Sequence, residues 1–238
     1  MKTLLLASIA GYASLVGTGV CPCPCEMFVG PSCTPEVAAS VAPSGVYVEA
    51  RDATVWGGAC HVSSEARTGG SHAVIGWAFE SGVHAGVDLS GIRVAAAIQG
   101  AGNLAACEVF NLGEPAPRVA AIWIDAPGQD EADAAEEYLR SLDVLGEVSS
   151  VARGVVELVV AGDTFRVSVP GKISLGGESL PNRACCTMPE ARWYPTLAAT
   201  SSSVVGVPTR CSFEGAVGPL GPWAFEEENS VYVGRFGA

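Results

Sequence analysis

Apolar and polar residues alternate along much of this chain with the two-residue period of β-strands. The alternation begins in GVYVEARDATVWGGACHV, residues 45–62, which predicts a pair of half-buried strands. The dipeptide Gly162-Asp163 separates VELVVA from TFRVSV and predicts a tight hairpin turn. Other strand-like runs are bounded by Gly, Pro or Asp and cover residues 71–82, 89–100, 117–127 and, as a succession of strands, 147–179.

Helical periodicity appears in one stretch, QDEADAAEEYLRSLDVL, near residues 129–145. Ala132, Ala135, Leu139 and Leu142 recur at helical spacing, and acidic residues in the first turns favour the helix dipole. Strands with one embedded helix predict an α+β fold, mostly antiparallel and sandwich-like. We expect a single cysteine-rich domain over residues 21–238, since no low-complexity linker interrupts this range.

The first twenty residues have the composition of a signal peptide. Lys2 precedes an apolar run over residues 4–16, and small residues follow at Gly17-Thr18-Gly19. The run is short for a stable membrane span, so we expect export to the periplasm or the extracellular space. One alternative is lipid attachment at Cys21, and another is a buried N-terminal element.

Composition narrows the choice of function. The chain is 49% apolar and 16% charged, which is typical of a globular protein with a sizeable core. Its net charge is -12 without any cluster of Lys or Arg, and a phosphate backbone would be repelled, so nucleic acid is not an expected partner. The sequence has no nucleophile elbow, phosphate loop or dinucleotide fingerprint, which favours a binding protein over an enzyme.

Nine cysteines carry the most specific chemistry in the sequence. Disulfides are the default in an oxidising compartment, but an odd number leaves at least one thiol over. Residues 21–27 read CPCPCEM, and the prolines stiffen the chain between the thiols. The adjacent pair Cys185-Cys186 also resists pairing with itself. These thiols therefore either form disulfides with cysteines distant in sequence or bind a common ion.

Both internal methionines lie in Cys-x-Met units, Cys25-Glu-Met27 and Cys186-Thr-Met188. Thiolate and thioether ligands select Cu(I) over harder ions, whereas zinc-finger spacing is absent, so copper is preferred to zinc. The alternative is that methionine fills gaps beside disulfides. His61 is added as a ligand because it follows a thiol. The candidate metal ligands are Cys21, Cys23, Cys25, Met27, His61, Cys185, Cys186 and Met188.

These observations favour an exported protein that binds a soft metal ion for storage, delivery or resistance. One alternative is a thiol–disulfide oxidoreductase, although its usual Cys-x-x-Cys before a helix is replaced here by Cys-x-Cys and prolines. A second alternative is a disulfide-stapled structural domain that binds another exported protein.

Several short motifs resemble the bacterial family catalogued as domain of unknown function 1326. These are the early Cys-Pro-Cys, GVDLSGIRV at 86–94, IWIDAPGQDEADA at 122–134, RACCTMPEARWY at 183–194 and ENSVYVGRF at 228–236. The resemblance implies one domain and a functional role for the Cys-Pro-Cys motif. It implies no established activity.

Overall fold

The computed structural model of the chain describes residues 41–55, 69–106, 113–179, 192, 194–226 and 229–237. Over these residues the protein is built mainly of β-strands with one helix, α1, at Gln129–Ser141. The strands are β1 Ser44–Arg51, β2 His72–Ser81, β3 Val83–His84, β4 Val87–Asp88, β5 Arg93–Gly100, β6 Arg118–Asp125, β7 Glu147–Arg153, β8 Glu157–Ala161, β9 Thr164–Val169, β10 Ile173–Ser179, β11 Thr200–Phe213, β12 Trp223–Phe225 and β13 Val231–Phe236.

The main strands form one continuous, curled sheet in the order β7-β6-β5-β2-β1-β13-β11-β10-β9-β8, with β12 paired to β11. Every pairing is antiparallel except that of β6 with β7, whose parallel connection runs through α1. The α+β class, mostly antiparallel with one principal helix, is therefore confirmed among the described residues. The sandwich-like arrangement is not confirmed, because the main strands belong to a single half-barrel sheet.

Most predicted elements appear close to their expected positions. The run over residues 147–179 forms four strands, and Gly162, at φ +58°, makes the predicted turn between β8 and β9. Helix α1 begins at Gln129 as expected but ends at Ser141, and Asp143 then adopts a left-handed backbone with φ +54°. The strand pair predicted over 45–62 is represented by β1 alone, since the chain leaves the sheet after Arg51 and residues 56–62 lie outside the described residues.

Both faces of the central strands β1, β2, β5 and β6 are covered by apolar side chains. One face packs against α1, with Ile75, Trp77 and Leu139 among its buried residues. The other lies inside the curl of the sheet and packs against β8 to β11. Gly76 permits this close approach, because a Cβ atom there would come within 2.8 Å of Leu158 and Val167. No helix in the described ranges is long and apolar enough to cross a membrane.

Candidate functional site

The ligands predicted from the sequence lie outside the described residues. They are Cys21, Cys23, Cys25, Met27, His61, Cys185, Cys186 and Met188. The structure accordingly neither joins nor separates them. It does describe residues that lie next in sequence to three of the segments that contain cysteines. These neighbouring residues define the candidate site.

Three thiol-bearing segments adjoin one small group of buried residues, here called the strand-end cluster. Val55 precedes Cys60 by five residues. Ala105 precedes Cys107 by two residues, and Tyr194 follows Met188 by six. The backbone N–H of Tyr194 donates to the carbonyl of Val55 at 3.4 Å. The full cluster is Ala53, Val55, Ala105, Tyr194, Val205 and Tyr232.

A buried ionic network lies beside this cluster on β1. Tyr47, Glu49 and Arg51 alternate along the strand and so share one face of the sheet. Glu49 is 0% exposed and Arg51 is 1% exposed. Arg51 Nε donates to Glu49 Oε1, and the Tyr47 hydroxyl donates to Glu49 Oε2. Both charges are thus paired inside the protein, where an unpaired charge would be strongly destabilising.

The network also binds the main chain of residues 194–198. Arg51 Nη2 donates to the carbonyl of Pro195, and the N–H of Leu197 donates to Glu49 Oε2 at 2.8 Å. The N–H of Ala198 reaches the Tyr47 hydroxyl at 3.4 Å. Because all these bonds are to backbone atoms, the network fixes the path of the segment whatever side chains the segment carries.

Tyr232 on β13 adds a further contact from the neighbouring strand. Its hydroxyl donates to the carbonyl of Tyr194, and the Arg51 guanidinium lies 5.6 Å from the centre of the Tyr194 ring. Burial, followed by the charge of Glu49 and the hydrogen bond to it, raises the pKa of Tyr47 well above its ordinary value. Burial likewise raises the pKa of Tyr232. Both phenols therefore remain protonated and act as hydrogen-bond donors at neutral pH.

Arg118 holds the segment that leads to Cys107. One terminal nitrogen donates to the carbonyl of Leu104 at 3.0 Å, and the other donates to the carbonyl of Asp143 at 2.6 Å. Burial lowers the pKa of Arg118, but an arginine stays charged under all ordinary conditions. The side chain thereby ties the start of this segment to the loop that follows α1. It also lines a cleft of about 530 Å³ at the ends of β5, β6 and β7.

Cys211 is the one cysteine within the described ranges, and it is buried and free. Burial, and then the negative charge of Asp52, raises the pKa of its thiol well above the ordinary value. A buried thiol with a raised pKa is a poor nucleophile and a poor ligand. Cys211 therefore belongs to the core between the two halves of the curled sheet.

Sequence reasoning missed the buried network for a physical reason. In the pattern VYVEAR, alternation assigns Glu49 and Arg51 to the solvent face of a half-buried strand. In the structure β1 lies in the middle of the sheet and both of its faces are covered. The available signal was the spacing of two opposite charges two residues apart, which places them side by side on one face.

Among the described residues, no three His, Cys, Asp or Glu side chains converge as a metal site. The described fold and site define an α+β protein in which three thiol-bearing segments adjoin one buried cluster. No protein-family model, curated protein or solved structure matches the chain.

Proposed function

We propose that this chain is an exported, thiol-rich protein that binds Cu(I) for storage, delivery or resistance. The ligands come from the two Cys-x-Met units and the thiols beside them, with His61 as a further donor. In a delivery role, the partner is another exported protein that receives the ion. The proposed ligands are Cys21, Cys23, Cys25, Met27, His61, Cys185, Cys186 and Met188.

The observation that carries this proposal is the shared attachment of the thiol-bearing segments. Val55, Ala105 and Tyr194 belong to one buried cluster, and each adjoins a segment with at least one cysteine. A chain advances at most about 3.6 Å per residue, so connectivity alone keeps the proposed ligand His61 within about 22 Å of Val55. It keeps Met188 within about 22 Å of Tyr194. The shared attachment supports a common site for the ligands of these two segments.

The buried network supports the proposal because it fixes one approach to such a site. Metal affinity depends on ligands that are held in place before the ion arrives. Arg51 binds the carbonyl of Pro195 and Glu49 binds the N–H of Leu197, seven and nine residues after Met188 in the chain. These bonds hold in one position the segment that leads back to Met188.

Ligand chemistry favours Cu(I) as the ion. Thiolate and thioether sulfur are soft ligands, whereas zinc sites use thiolate, imidazole or carboxylate and not thioether. The resemblance to the family catalogued as domain of unknown function 1326 also supports a functional role for the Cys-Pro-Cys motif. The resemblance does not imply any particular activity.

A competition titration with a Cu(I) chelator tests the proposal. Replacing both Met27 and Met188 by Leu should weaken Cu(I) binding and leave zinc binding nearly unchanged. Leu keeps volume and apolarity, and such exchanges usually cost less than about 1.5 kcal/mol of stability. Replacing Cys23 and Cys25 by Ser should weaken binding further, because thiolates neutralise the cation.

Cys211→Ala is the matched control, since it removes a cysteine that is buried in the core and is not a proposed ligand. It should leave Cu(I) affinity unchanged. If the double Leu variant binds Cu(I) as tightly as the natural chain, the methionines serve as packing residues and the thioether assignment is wrong.

A further inference from the structure

A histidine and a carboxylate are locked together at the end of β1, on the sheet face opposite the buried network. Trp223, whose ring lies beside that of His72, packs against the core inside the curl of the sheet, whereas Tyr47 of the buried network belongs to the core on the α1 face. The backbone N–H of His72 donates to Asp52 Oδ1 at 2.8 Å. The Nδ1 atom of His72 lies 2.8 Å from Asp52 Oδ2. Both carboxylate oxygens therefore hold the same histidine.

This geometry determines which ring nitrogen faces the carboxylate. Nδ1 of His72 contacts Asp52, and the Ser71 hydroxyl lies 3.1 Å from the same nitrogen. Carboxylate and hydroxyl oxygens both accept hydrogen bonds, so the Nδ1–H form of His72 satisfies both contacts. The backbone of Asp52 also donates to the His72 carbonyl, at 3.1 Å, which holds the two residues in one register. In the Nδ1–H tautomer the lone pair of the ring lies on Nε2. Histidines that bind a metal through one ring nitrogen commonly donate the other N–H to a carboxylate, which fixes the orientation of the ring.

The Nε2 atom of His72 is available to a ligand, whereas that of His84 is not. The side chains of His72 and His84 are similarly exposed, at 24% and 25%. Nε2 of His84 is nonetheless buried, and its nearest charged atom is Glu137 Oε1 at 3.6 Å. Nε2 of His72 accepts no hydrogen bond from the described residues and is not among their buried, unpartnered atoms. The ring of Trp223 lies 5.3 Å from the His72 ring, centre to centre.

We propose that His72 binds a transition-metal ion through Nε2, oriented by Asp52. The ion is one that favours imidazole, such as Ni(II), Cu(II) or Zn(II), and water fills the positions that the protein leaves open. This site uses nitrogen and not sulfur, and it lies on the opposite sheet face from the buried network, so it does not depend on the proposed Cu(I) function.

A Ni(II) titration of the full chain, with accessible thiols blocked by N-ethylmaleimide, tests this proposal. Ni(II) quenches tryptophan fluorescence at short range, and Trp223 is close enough to His72 to report binding. We expect saturable quenching that His72→Ala abolishes and the matched variant His84→Ala retains. Asp52→Asn should weaken binding by about 10- to 100-fold, as is typical for loss of an orienting partner.

A second measurement on the natural chain does not depend on any variant folding. Long-range ¹H–¹⁵N spectra should show His72 as the Nδ1–H form, and Zn(II) should shift the signal of its Nε2. The proposal is overturned if His72 is in the Nε2–H form, if Zn(II) leaves Nε2 unmoved, or if His72→Ala retains the full Ni(II) quenching. Failure of Cu(I) binding by the thiols would leave this site unaffected.

Discussion

At the residue scale, Glu49 and Arg51 form an ion pair that is almost fully buried. Removing two charges from water is expensive, and their mutual attraction offsets that cost only if the remaining polar atoms are also satisfied. Here the hydroxyl of Tyr47 and the backbone around Pro195 and Leu197 complete the set. The pair consequently holds the backbone of residues 195–198 against β1.

Removing one member of this pair should be costly. Arg51→Leu leaves Glu49 charged and buried without its partner, and we expect a loss of about 3–5 kcal/mol in the free energy of unfolding. Urea denaturation followed by circular dichroism measures the loss. The matched control is Arg235→Leu, which breaks the exposed pair with Glu80 and should leave stability nearly unchanged. Equal effects of the two substitutions would contradict the role assigned to the buried pair.

Because of Cys211, the free energy of unfolding should fall as the pH rises above 9. Its folded pKa is raised above the ordinary value of 9.0, so below pH 9 its thiol is neutral in both states. Above pH 9 only the unfolded thiol ionises, and the free energy of unfolding falls by up to about 1.4 kcal/mol per pH unit. Cys211→Ala should flatten this decline in reduced protein. Denaturation at pH 7 to 10.5 provides the comparison, and parallel curves would argue against a buried neutral thiol.

At the element scale, the hairpin of β8 and β9 shows how a local signal determines structure. Gly162 has φ +58° and no atom within 4 Å of the position of a Cβ, so only its backbone requires glycine. Gly162→Ala should cost about 1–2 kcal/mol, the strain of a left-handed residue with a Cβ. Gly154→Ala is the matched control, because Gly154 is equally unobstructed but does not have a positive φ.

Thermal denaturation of both glycine variants distinguishes strain at a left-handed residue from a general effect of replacing glycine by alanine. Gly154→Ala should be neutral or slightly stabilising, since alanine narrows the unfolded ensemble. Equal destabilisation by both substitutions would mean that the left-handed turn is not the reason for Gly162.

The features of the fold that could be predicted from the sequence are those that depend on local patterns. The strands of residues 147–179, the Gly162 turn and the start of α1 depend on local patterns, and the structure confirms them. The end of α1 at Ser141 and the burial of Glu49 depend on tertiary contacts, which periodicity does not contain. The curl of the sheet depends on long-range packing of residues such as Gly76. For the candidate site, the ligands remain a prediction from the sequence, and the buried network beside Val55 and Tyr194 could not be predicted because it depends on both faces of β1 being covered.

At the scale of the whole molecule, the strand-end cluster joins distant parts of the chain. Val55, Ala105 and Tyr194 are far apart in sequence and meet in one buried group. β1 and β5 run in the same direction and finish at the same end of the sheet, and residues 194–198 lie along β1 and reach that end at Tyr194. Segments whose cysteines are more than a hundred residues apart in sequence therefore start from neighbouring positions. This arrangement is compatible with the proposed site, which draws its ligands from several segments.

The central claim is tested most directly by elemental analysis of the purified protein together with a count of its free thiols. The account predicts copper near one equivalent or more per chain, with several cysteines reduced and protected from alkylation until the metal is removed. Eight oxidised cysteines and no bound metal would contradict the account and leave a disulfide-stapled structural domain.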